Sequence, residues 1–202
     1  MTTDWFLDLC RARRSIRKYS SEPISPADVA YILECGRLAP SACNMQPWEV
    51  VVVDDREIIA RLAECTAFGL SKVGEKAGGI NFIAGAPLVL AICSRRGMLH
   101  KAASLVDMDF SPLDIGIFGE HLVLAAASRG IGTCWIGMAS EKRVRPVLAL
   151  PRPAKLEALI VCGYPEGEKA APPDPSGGIP MRPRKTLDDF AHHNAWGKKY
   201  SR

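Results

Sequence analysis

The 202-residue sequence predicts an α+β fold, and three observations lead to this prediction. Short apolar segments of strand length alternate with longer segments whose apolar side chains recur at helical spacing. The longest helical segment, about residues 113–129, is apolar nearly all round, which is typical of a helix at the centre of a domain. Residues 165–183 hold six prolines and almost no apolar pattern. They therefore predict an extended arm that has no core of its own.

The first third of the chain predicts three helices and one strand. Residues 4–13 carry apolar side chains at helical spacing. Ser25 and the proline after it are typical of a helix start, and this second helix is expected to end near Leu38. Residues 48–53 predict a strand, and a third helix is expected around residues 58–63.

The remainder of the chain predicts the other strands of a four- or five-stranded sheet, together with three more helices. Strands are expected at 87–93, 133–136 and 156–162. Residues 111–114 repeat the Ser-Pro start in front of the long apolar helix, so Ser111 is expected to cap that helix. Ser140 is expected to cap a short helix, and another short helix is expected at 187–191. The glycine-rich residues 66–81 predict a mobile loop or a loose helix.

Composition and charge exclude several classes of protein. The net charge of +4 is mild and no nucleic-acid-binding motif accompanies it, so nucleic acid is not an expected partner. No apolar run approaches the roughly 20 residues of a membrane span, and the first residues do not form a signal peptide. The seven cysteines form no CxxC pair, which favours reduced thiols over a zinc or dithiol site. We therefore expect a cytoplasmic protein with no membrane partner.

A cluster of basic side chains at residues 13–17 indicates a site for an anion. The segment Arg13-Arg14-Ser15-Ile16-Arg17 places three guanidinium groups and a hydroxyl within five residues. Guanidinium groups bind phosphate oxygens two at a time, and a phosphate monoester carries roughly −1.5 to −2 charges near neutral pH. Arg182 and Arg184, near the end of the proline-rich segment, could supply further positive charge. Taken alone, residues 13–17 could equally be a solvated basic turn.

A loop of polar side chains at residues 40–47 indicates a site for a planar heteroaromatic group. Ser41, Asn44 and Gln46 offer hydrogen-bond donors and acceptors, and Pro40 and the proline at 47 restrict the loop. The pyrimidine edge of a flavin has matching groups, although an ordinary turn would have a similar composition. Cys43 is not expected to be a nucleophile, because no histidine is near it in the sequence.

No motif for a catalytic side chain or a metal ion is found. Residues 69–76 match a phosphate-binding loop only in part, because Glu75 stands where lysine is required. A GxGxxG pattern begins at Gly130 but ends at Trp135, and neither GxSxG nor HExxH occurs. The four histidines have no acids or thiols at metal-binding spacing. The sequence therefore predicts no metal site and no catalytic side chain.

Five markers in order make the sequence resemble the FMN-dependent nitroreductase family, over nearly the whole chain. They are residues 13–17, residues 39–48, Asp114-Ile115-Gly116, residues 130–137, and Arg182-Pro183-Arg184-Lys185 with Leu187.

The resemblance implies a homodimer with a mostly antiparallel central sheet flanked by helices. Residues 1–164 would form an FMN-binding domain, and residues 165–202, which we call the arm, would pack on the partner subunit. Many members of the family place an asparagine and a lysine beside the flavin pyrimidine ring shortly before the strand expected at 87–93. Residues 78–83 of this chain, Gly-Gly-Ile-Asn-Phe-Ile, have no lysine at the matching position.

The resemblance also implies roles for the residues of the two segments and the arm. The phosphate would be held by Arg13, Ser15, Arg182 and Arg184. Arg14 and Arg17 would lie near the ribityl chain and the N1/O2 edge of the ring. One face of the ring would be lined by Pro40, Ser41 and Asn44, together with Gln46. The other face would be covered by Trp135, Ile136 and Gly137, with a backbone N–H of Gly137 or Met138 near N5.

The implied activity is a two-half-reaction hydride transfer. NADH or NADPH would reduce FMN at N5, and a nitroaromatic, a quinone or a free flavin would then accept the electrons. The protein would contribute positioning and electrostatics rather than a nucleophile. A lid over the acceptor is expected at residues 66–81 or 94–111. A reductive dehalogenase, a flavin-destroying enzyme and a flavin-binding protein without turnover remain alternatives.

Overall fold

The computed structural model of the chain describes residues 4–66, 82–95, 109–166 and 183–200. These residues fall into two compact units, one holding residues 4–166 and the other holding residues 183–200. The predicted domain boundary at 164/165 stays a prediction. Both segments expected to form the lid lie largely outside the described residues.

A four-stranded antiparallel sheet forms the centre of the first unit, in the order β1-β2-β4-β3. Its strands are β1 (Trp48–Val53), β2 (Leu88–Arg95), β3 (Gly132–Ile136) and β4 (Ala154–Gly163). The α+β class is thereby confirmed, and the predicted strands lie where they were expected. Three are longer than predicted. Strand β3 begins one residue earlier, and β2 and β4 are longer because they pair with each other as far as Arg95 and Ala154.

Six helices accompany the sheet in the described part of the chain. They are α1 (Trp5–Ala12), α2 (Pro26–Arg37), α3 (Arg56–Thr66), α4 (Ser111–Ser128), α5 (Glu141–Val147) and α6 (Leu187–Phe190). The loop before β1 contains a short 3₁₀ turn, Ala42–Asn44. None of the described helices is both long and apolar enough to cross a membrane.

The two Ser-Pro helix starts have different outcomes. Ser25 caps α2 as predicted, because its Oγ atom accepts a hydrogen bond from the N–H of Asp28 at 3.1 Å. The predicted cap at Ser111 is wrong, because Phe110 is the N-cap residue and Ser111 is already helical. The N–H of Ser111 is satisfied instead by the Asp109 carboxylate at 3.1 Å. Ser140 occupies the N-cap position of α5, but its side chain makes no capping hydrogen bond.

The sheet separates two apolar clusters because successive side chains of a strand point to opposite faces. Val89, Ala91 and Cys93 of β2 join a cluster that includes residues of α3 and α5. Leu90 and Ile92 join a second cluster that includes residues of α2 and α4. Burial on both faces explains why β2 is apolar almost without interruption.

The seven cysteines are all free thiols. Four of them are buried, namely Cys65, Cys93, Cys134 and Cys162, whereas Cys10 and Cys43 are exposed. Burial raises the pKa of Cys93 to about 11 and the pKa of Cys162 to about 12. These two side chains therefore stay protonated at neutral pH and act as small apolar groups.

Helix α4 lies at the centre of the second cluster, as its apolar sequence predicts. Phe118 and Leu122 are each no more than 2% exposed, and both face α2. The two helices approach closely at Gly36, where an added Cβ atom would lie 2.5 Å from Cδ2 of Leu122. The glycine is therefore required by the close packing of α2 on α4.

The second unit contains α6 and a short turn. A capping box joins Thr186 to Asp189 at the start of α6, which ends at Phe190, one residue before the predicted end. Four large apolar or aromatic side chains are exposed in this unit, namely Leu187, Phe190, Trp196 and Tyr200. Trp196 has 91% of its surface accessible.

Substitution of Gly36 by alanine tests the close approach of α2 and α4. We expect Gly36→Ala to lower the free energy of unfolding by about 1–3 kcal/mol, because the new methyl group overpacks the core. Urea unfolding measures the change. Gly85→Ala is the control, because its Cβ atom would meet its nearest neighbour at 3.8 Å. Equal stability of the two variants would contradict this packing.

Candidate functional site

The basic segment at residues 13–17 is attached to β3. The N–H of Ile16 donates a hydrogen bond to the carbonyl oxygen of Thr133 at 2.8 Å, and Ser15 pairs with Thr133 in a parallel bridge. The side chain of Ile16 is buried, and Gly132 leaves the space that it occupies. Ser15 and Arg17, on either side of it, are exposed. The segment is therefore fixed by its backbone and one apolar side chain, which leaves its polar side chains outside.

Tyr19 fixes the end of the same segment. Its hydroxyl donates a hydrogen bond to the carbonyl oxygen of Ile16 at 2.5 Å. Burial raises the pKa of Tyr19, so the hydroxyl keeps the proton that this bond requires. The segment is thus held at Ser15 and Ile16 by β3, and just beyond its end by Tyr19.

Arg13 and Arg17 carry positive charge that the described residues do not neutralise. No carboxylate among those residues lies within ion-pair distance of either guanidinium. Arg17 instead lies over the ring of Phe82, with 5.8 Å between the guanidinium carbon and the ring centroid. The neighbouring Lys18 differs, since its Nζ atom lies 3.5 Å from the Glu166 carboxylate. The segment therefore offers charge for an anionic ligand.

The polar loop at residues 40–46 is closed by its own hydrogen bonds. The N–H of Asn44 bonds to the carbonyl oxygen of Ser41 at 3.0 Å, and the N–H of Gln46 bonds to the Ser41 hydroxyl oxygen at 2.9 Å. The side chain of Gln46 donates to the Asn44 side-chain oxygen at 3.0 Å. Ser41 and Gln46 thus shape the loop, while the Ser41 proton and the Asn44 amide group can still donate outward.

Backbone strain is concentrated in this loop. Cys43, Asn44 and Gln46 have φ values of 50°, 55° and 45°, and none of them is glycine. A left-handed conformation costs roughly 1–2 kcal/mol for a residue with a side chain. Strain of this kind persists only where surrounding structure holds it, and it is typical of functional sites.

Helix α4 contacts the loop through Asp114 and contacts Trp48, the first residue of the strand that follows the loop, through Phe118. The Asp114 Oδ1 atom accepts a hydrogen bond from the N–H of Ala42 at 3.0 Å. The indole ring of Trp48 stacks on Phe118, with 4.8 Å between ring centroids and 12° between planes. The carbonyl oxygen of Pro47 also accepts a hydrogen bond from the N–H of Arg95 at 2.7 Å. These contacts supply the external support that a strained loop needs.

The end of β3 packs on the same helix. An added Cβ atom at Gly119 would lie 2.0 Å from Cζ3 of Trp135, so this glycine leaves the space for the indole ring. Trp135 and Gly137 are exposed, and Ile136 is half-buried. Helix α4 therefore joins the loop at 40–46 to the end of β3, while the start of β3 carries the basic segment.

Most of the predicted site residues lie in the first unit, where their binding of FMN stays a prediction. In the first unit these are Arg13, Arg14, Ser15, Arg17, Pro40, Ser41, Asn44, Gln46, Trp135, Ile136 and Gly137. Arg182 lies outside the described residues, and Arg184 belongs to the second unit. Their predicted part in holding a phosphate stays a prediction.

No role in the site could be assigned from the sequence to Asp114, Phe118 or Gly119, although Asp114 belongs to one of the five family markers. Asp114 looks like an ordinary acidic residue in the first turn of a helix, whereas the structure shows that it is buried and bonded to the loop. Phe118 and Gly119 look like parts of a general apolar face. The available signal was an acid and a glycine within a helix that is otherwise apolar nearly all round.

One groove in the first unit lies away from these residues. It has a volume of about 680 Å³ and lies between α3 and α5, and Arg61, Lys142 and Arg143 are among the residues that line it. It contains none of the predicted site residues. Among the residues that the structure describes, no group of three or more histidine, cysteine or acidic side chains could hold a metal ion.

Comparison with known proteins identifies the family. The sequence model of the Nitroreductase family matches residues 10–164. A candidate NADH dehydrogenase/NAD(P)H nitroreductase from Archaeoglobus fulgidus is 32% identical over 167 residues, which cover 81% of this chain and 87% of the relative. A 5,6-dimethylbenzimidazole synthase from Rhodospirillum rubrum is 29% identical over 172 residues, which cover 79% of this chain and 82% of the relative.

A solved structure agrees with this match. The FMN-dependent nitroreductase from Clostridium difficile R20291 superposes with a TM-score of 0.69 and 28% sequence identity, covering 94% of this chain and 99% of that one. The chain therefore belongs to the Nitroreductase family, and it is an oxidoreductase enzyme. The resemblance inferred from the five sequence markers is confirmed.

Proposed function

We propose that this protein is an FMN-dependent enzyme that uses NADH or NADPH to reduce small acceptors such as nitroaromatics, quinones or flavins. The observation that carries the proposal is the joining of the basic segment at 13–17 to the polar loop at 40–46 through β3 and α4. Names of similar proteins supply further support, since they include an NAD(P)H nitroreductase and an FMN-dependent nitroreductase.

The basic segment suits the phosphate end of FMN. Arg13 and Ser15 would bind phosphate oxygens, because a guanidinium and a hydroxyl both donate to them. The backbone of Ser15 and Ile16 is already fixed against Thr133, and the N–H of Arg13 bonds to the carbonyl oxygen of Leu9, so little conformational freedom would be lost on binding. Arg14 and Arg17 would place positive charge nearer the ring. Arg182 and Arg184 would complete the charge around the phosphate.

The polar loop suits the ring end of FMN. Pro40, Ser41 and Asn44 would line one side of the ring, with Gln46 holding the Asn44 side chain in place. Residues 135–137 would lie against the other side. The exposed backbone at Gly137 would offer an N–H donor near the reacting edge.

Bound FMN would supply the redox chemistry, accepting a hydride from the nicotinamide and passing the electrons to the acceptor. The protein would bind the phosphate, orient the ring and keep one face open to both substrates in turn. No side-chain nucleophile is required for this role.

A homodimer in which the arm reaches the partner subunit completes the proposal. Trp5 and Phe6 of α1 are 70% and 50% exposed, and Phe190 and Trp196 in the second unit are also exposed. Exposed aromatic side chains on both units favour burial against another surface. A second copy of the chain would provide that surface and would bring Arg184 of the arm to its site.

The range of acceptors that the enzyme reduces would distinguish a general reductase from a specialised member of the family. The relative from Rhodospirillum rubrum has nearly the same identity as the relative from Archaeoglobus fulgidus, although its name gives a different reaction. Reduction of several different acceptors would support the proposal. Use of a single acceptor or consumption of the flavin would identify a specialised enzyme of the same fold.

Anaerobic titration with NADH and with NADPH tests the proposed activity. We expect the FMN-loaded protein to lose its visible flavin absorbance on addition of one nicotinamide equivalent. Adding nitroaromatics, quinones and flavins in turn should restore it. Bound FMN that neither nicotinamide bleaches would show a flavin-binding protein without this activity.

Substitution of Arg13 tests the proposed phosphate site. We expect Arg13→Ala to raise the Kd for FMN roughly 10- to 100-fold, because a hydrogen bond to a charged group contributes about 1.5–3 kcal/mol. Fluorescence quenching of FMN measures the Kd. The charge-matched control is Arg37→Ala, since Arg37 is exposed and bonds to Glu34 at 2.6 Å. The assignment of Arg13 is wrong if both variants weaken FMN binding equally.

A further inference from the structure

The loop at residues 40–46 is held from outside by a buried carboxylate. Asp114 lies in the first turn of α4 and is 2% exposed. Its Oδ1 atom accepts a hydrogen bond from the N–H of Ala42 at 3.0 Å. Its Oδ2 atom is buried and has no hydrogen-bond partner in the part of the chain that the structure describes. The hydrogen bond from Ala42 therefore offsets part of the cost of burying this carboxylate.

The stability of the core does not explain an acid at this position. Burying an ionised carboxylate is unfavourable unless several hydrogen bonds or an opposite charge compensate for it. The N-terminal turn of α4 supplies only partial positive charge. An apolar side chain would suit a buried position in this largely apolar helix at least as well. The presence of an acid at position 114 is therefore explained by its hydrogen bond to the loop at 40–46.

The bond to Asp114 acts at the first residue of the strained turn. The peptide group before Ala42 donates to the carboxylate, and the carbonyl oxygen of Ala42 accepts from the N–H of Met45 at 3.0 Å. Cys43 and Asn44, both left-handed, lie between these two points. Fixing the orientation of Ala42 therefore fixes the start of the turn in which they lie.

We infer that Asp114 is a positioning residue, whose buried carboxylate holds the loop at 40–46 in the shape that presents Ser41 and Asn44 to the flavin. The inference rests on the proposed function, because that function makes the loop a wall of the FMN site. Asp114 itself acts through Ala42 and contacts no reacting atom.

Hydrogen exchange of the protein without flavin tests this role. Asp114→Ala removes the acceptor, whereas Asp114→Asn keeps a side-chain oxygen that can accept from Ala42. We expect Asp114→Ala to accelerate amide exchange in residues 41–46 about tenfold or more, with β2 unchanged, because the opening is local. Asp114→Asn should stay within about threefold of the wild-type rate, since its oxygen can replace the lost acceptor.

Two further variants make the test specific. Ser111→Ala is the matched control, because Ser111 lies in the same turn, is 1% exposed and has an Oγ atom without a partner among the described residues. It should leave loop exchange unchanged. Ala42→Pro deletes the same hydrogen bond from the loop side, and the extended backbone of Ser41 (φ −142°, ψ 157°) accepts a following proline. It should accelerate exchange at residues 44–46, and it keeps the test decisive if Asp114→Ala does not fold.

The Kd for FMN provides the second readout. We expect it to rise about tenfold in Asp114→Ala and less than about threefold in Asp114→Asn and Ser111→Ala. Equal acceleration of the loop and β2 would overturn the inference, because the acid would then only stabilise the fold. Unchanged loop exchange in Asp114→Ala would also overturn it. If the wild-type protein binds no FMN, the proposed function fails, while the exchange rates still decide the role of Asp114.

Discussion

Burial of α4 against the sheet sets the positions of the loop at 40–46, of the start of β1 and of the end of β3. One side of this helix packs on α2, where Gly36 allows the two helices to approach closely. Residues at its N-terminal half contact the loop, the start of β1 and the end of β3, through Asp114, Phe118 and Gly119. Because the helix is fixed by the core, everything attached to it is fixed as well. The candidate site therefore takes its rigidity from the packing of the domain.

Charge and strain are distributed in a way that suits a bound anion with a planar ring. Positive charge without a carboxylate partner in the described residues lies at Arg13 and Arg17, on a segment that β3 and Tyr19 immobilise. Strained backbone lies in the loop, where α4 holds it. A preformed arrangement of this kind binds a ligand without first losing conformational freedom. The proposed division between a phosphate end and a ring end follows from these two properties.

Much of the fold could be predicted because its signals are local. The continuous apolar run at 88–93 indicates a strand buried on both faces, and Ser25 with Pro26 indicates a helix start. The same local reasoning was wrong at Ser111, where the sequence repeats the Ser-Pro pattern. There the burial of Ser111 and the bond from its N–H to Asp109 replaced the expected cap. Tertiary packing decided between two starts that look alike in sequence.

The polar residues of the candidate site could be proposed from the sequence, whereas the contacts that support them could not. Polar groups that bind phosphate or a heteroaromatic edge are clustered in two short segments, and the sequence shows this directly at Arg13, Ser15, Ser41 and Asn44. The role of Asp114 depends on a contact with Ala42, 72 residues earlier in the chain. The space at Gly119 depends likewise on the position of Trp135. Pairings of this kind are set by the fold, so a single sequence does not reveal them.

Hydrogen exchange with and without saturating FMN tests the central claim most directly, because it reports where the ligand contacts the chain. We expect slower exchange in residues 13–17, 41–46 and 135–137, and unchanged exchange around the groove between α3 and α5. Protection at that groove instead, or no protection in the three segments, would show that FMN does not bind at the candidate site.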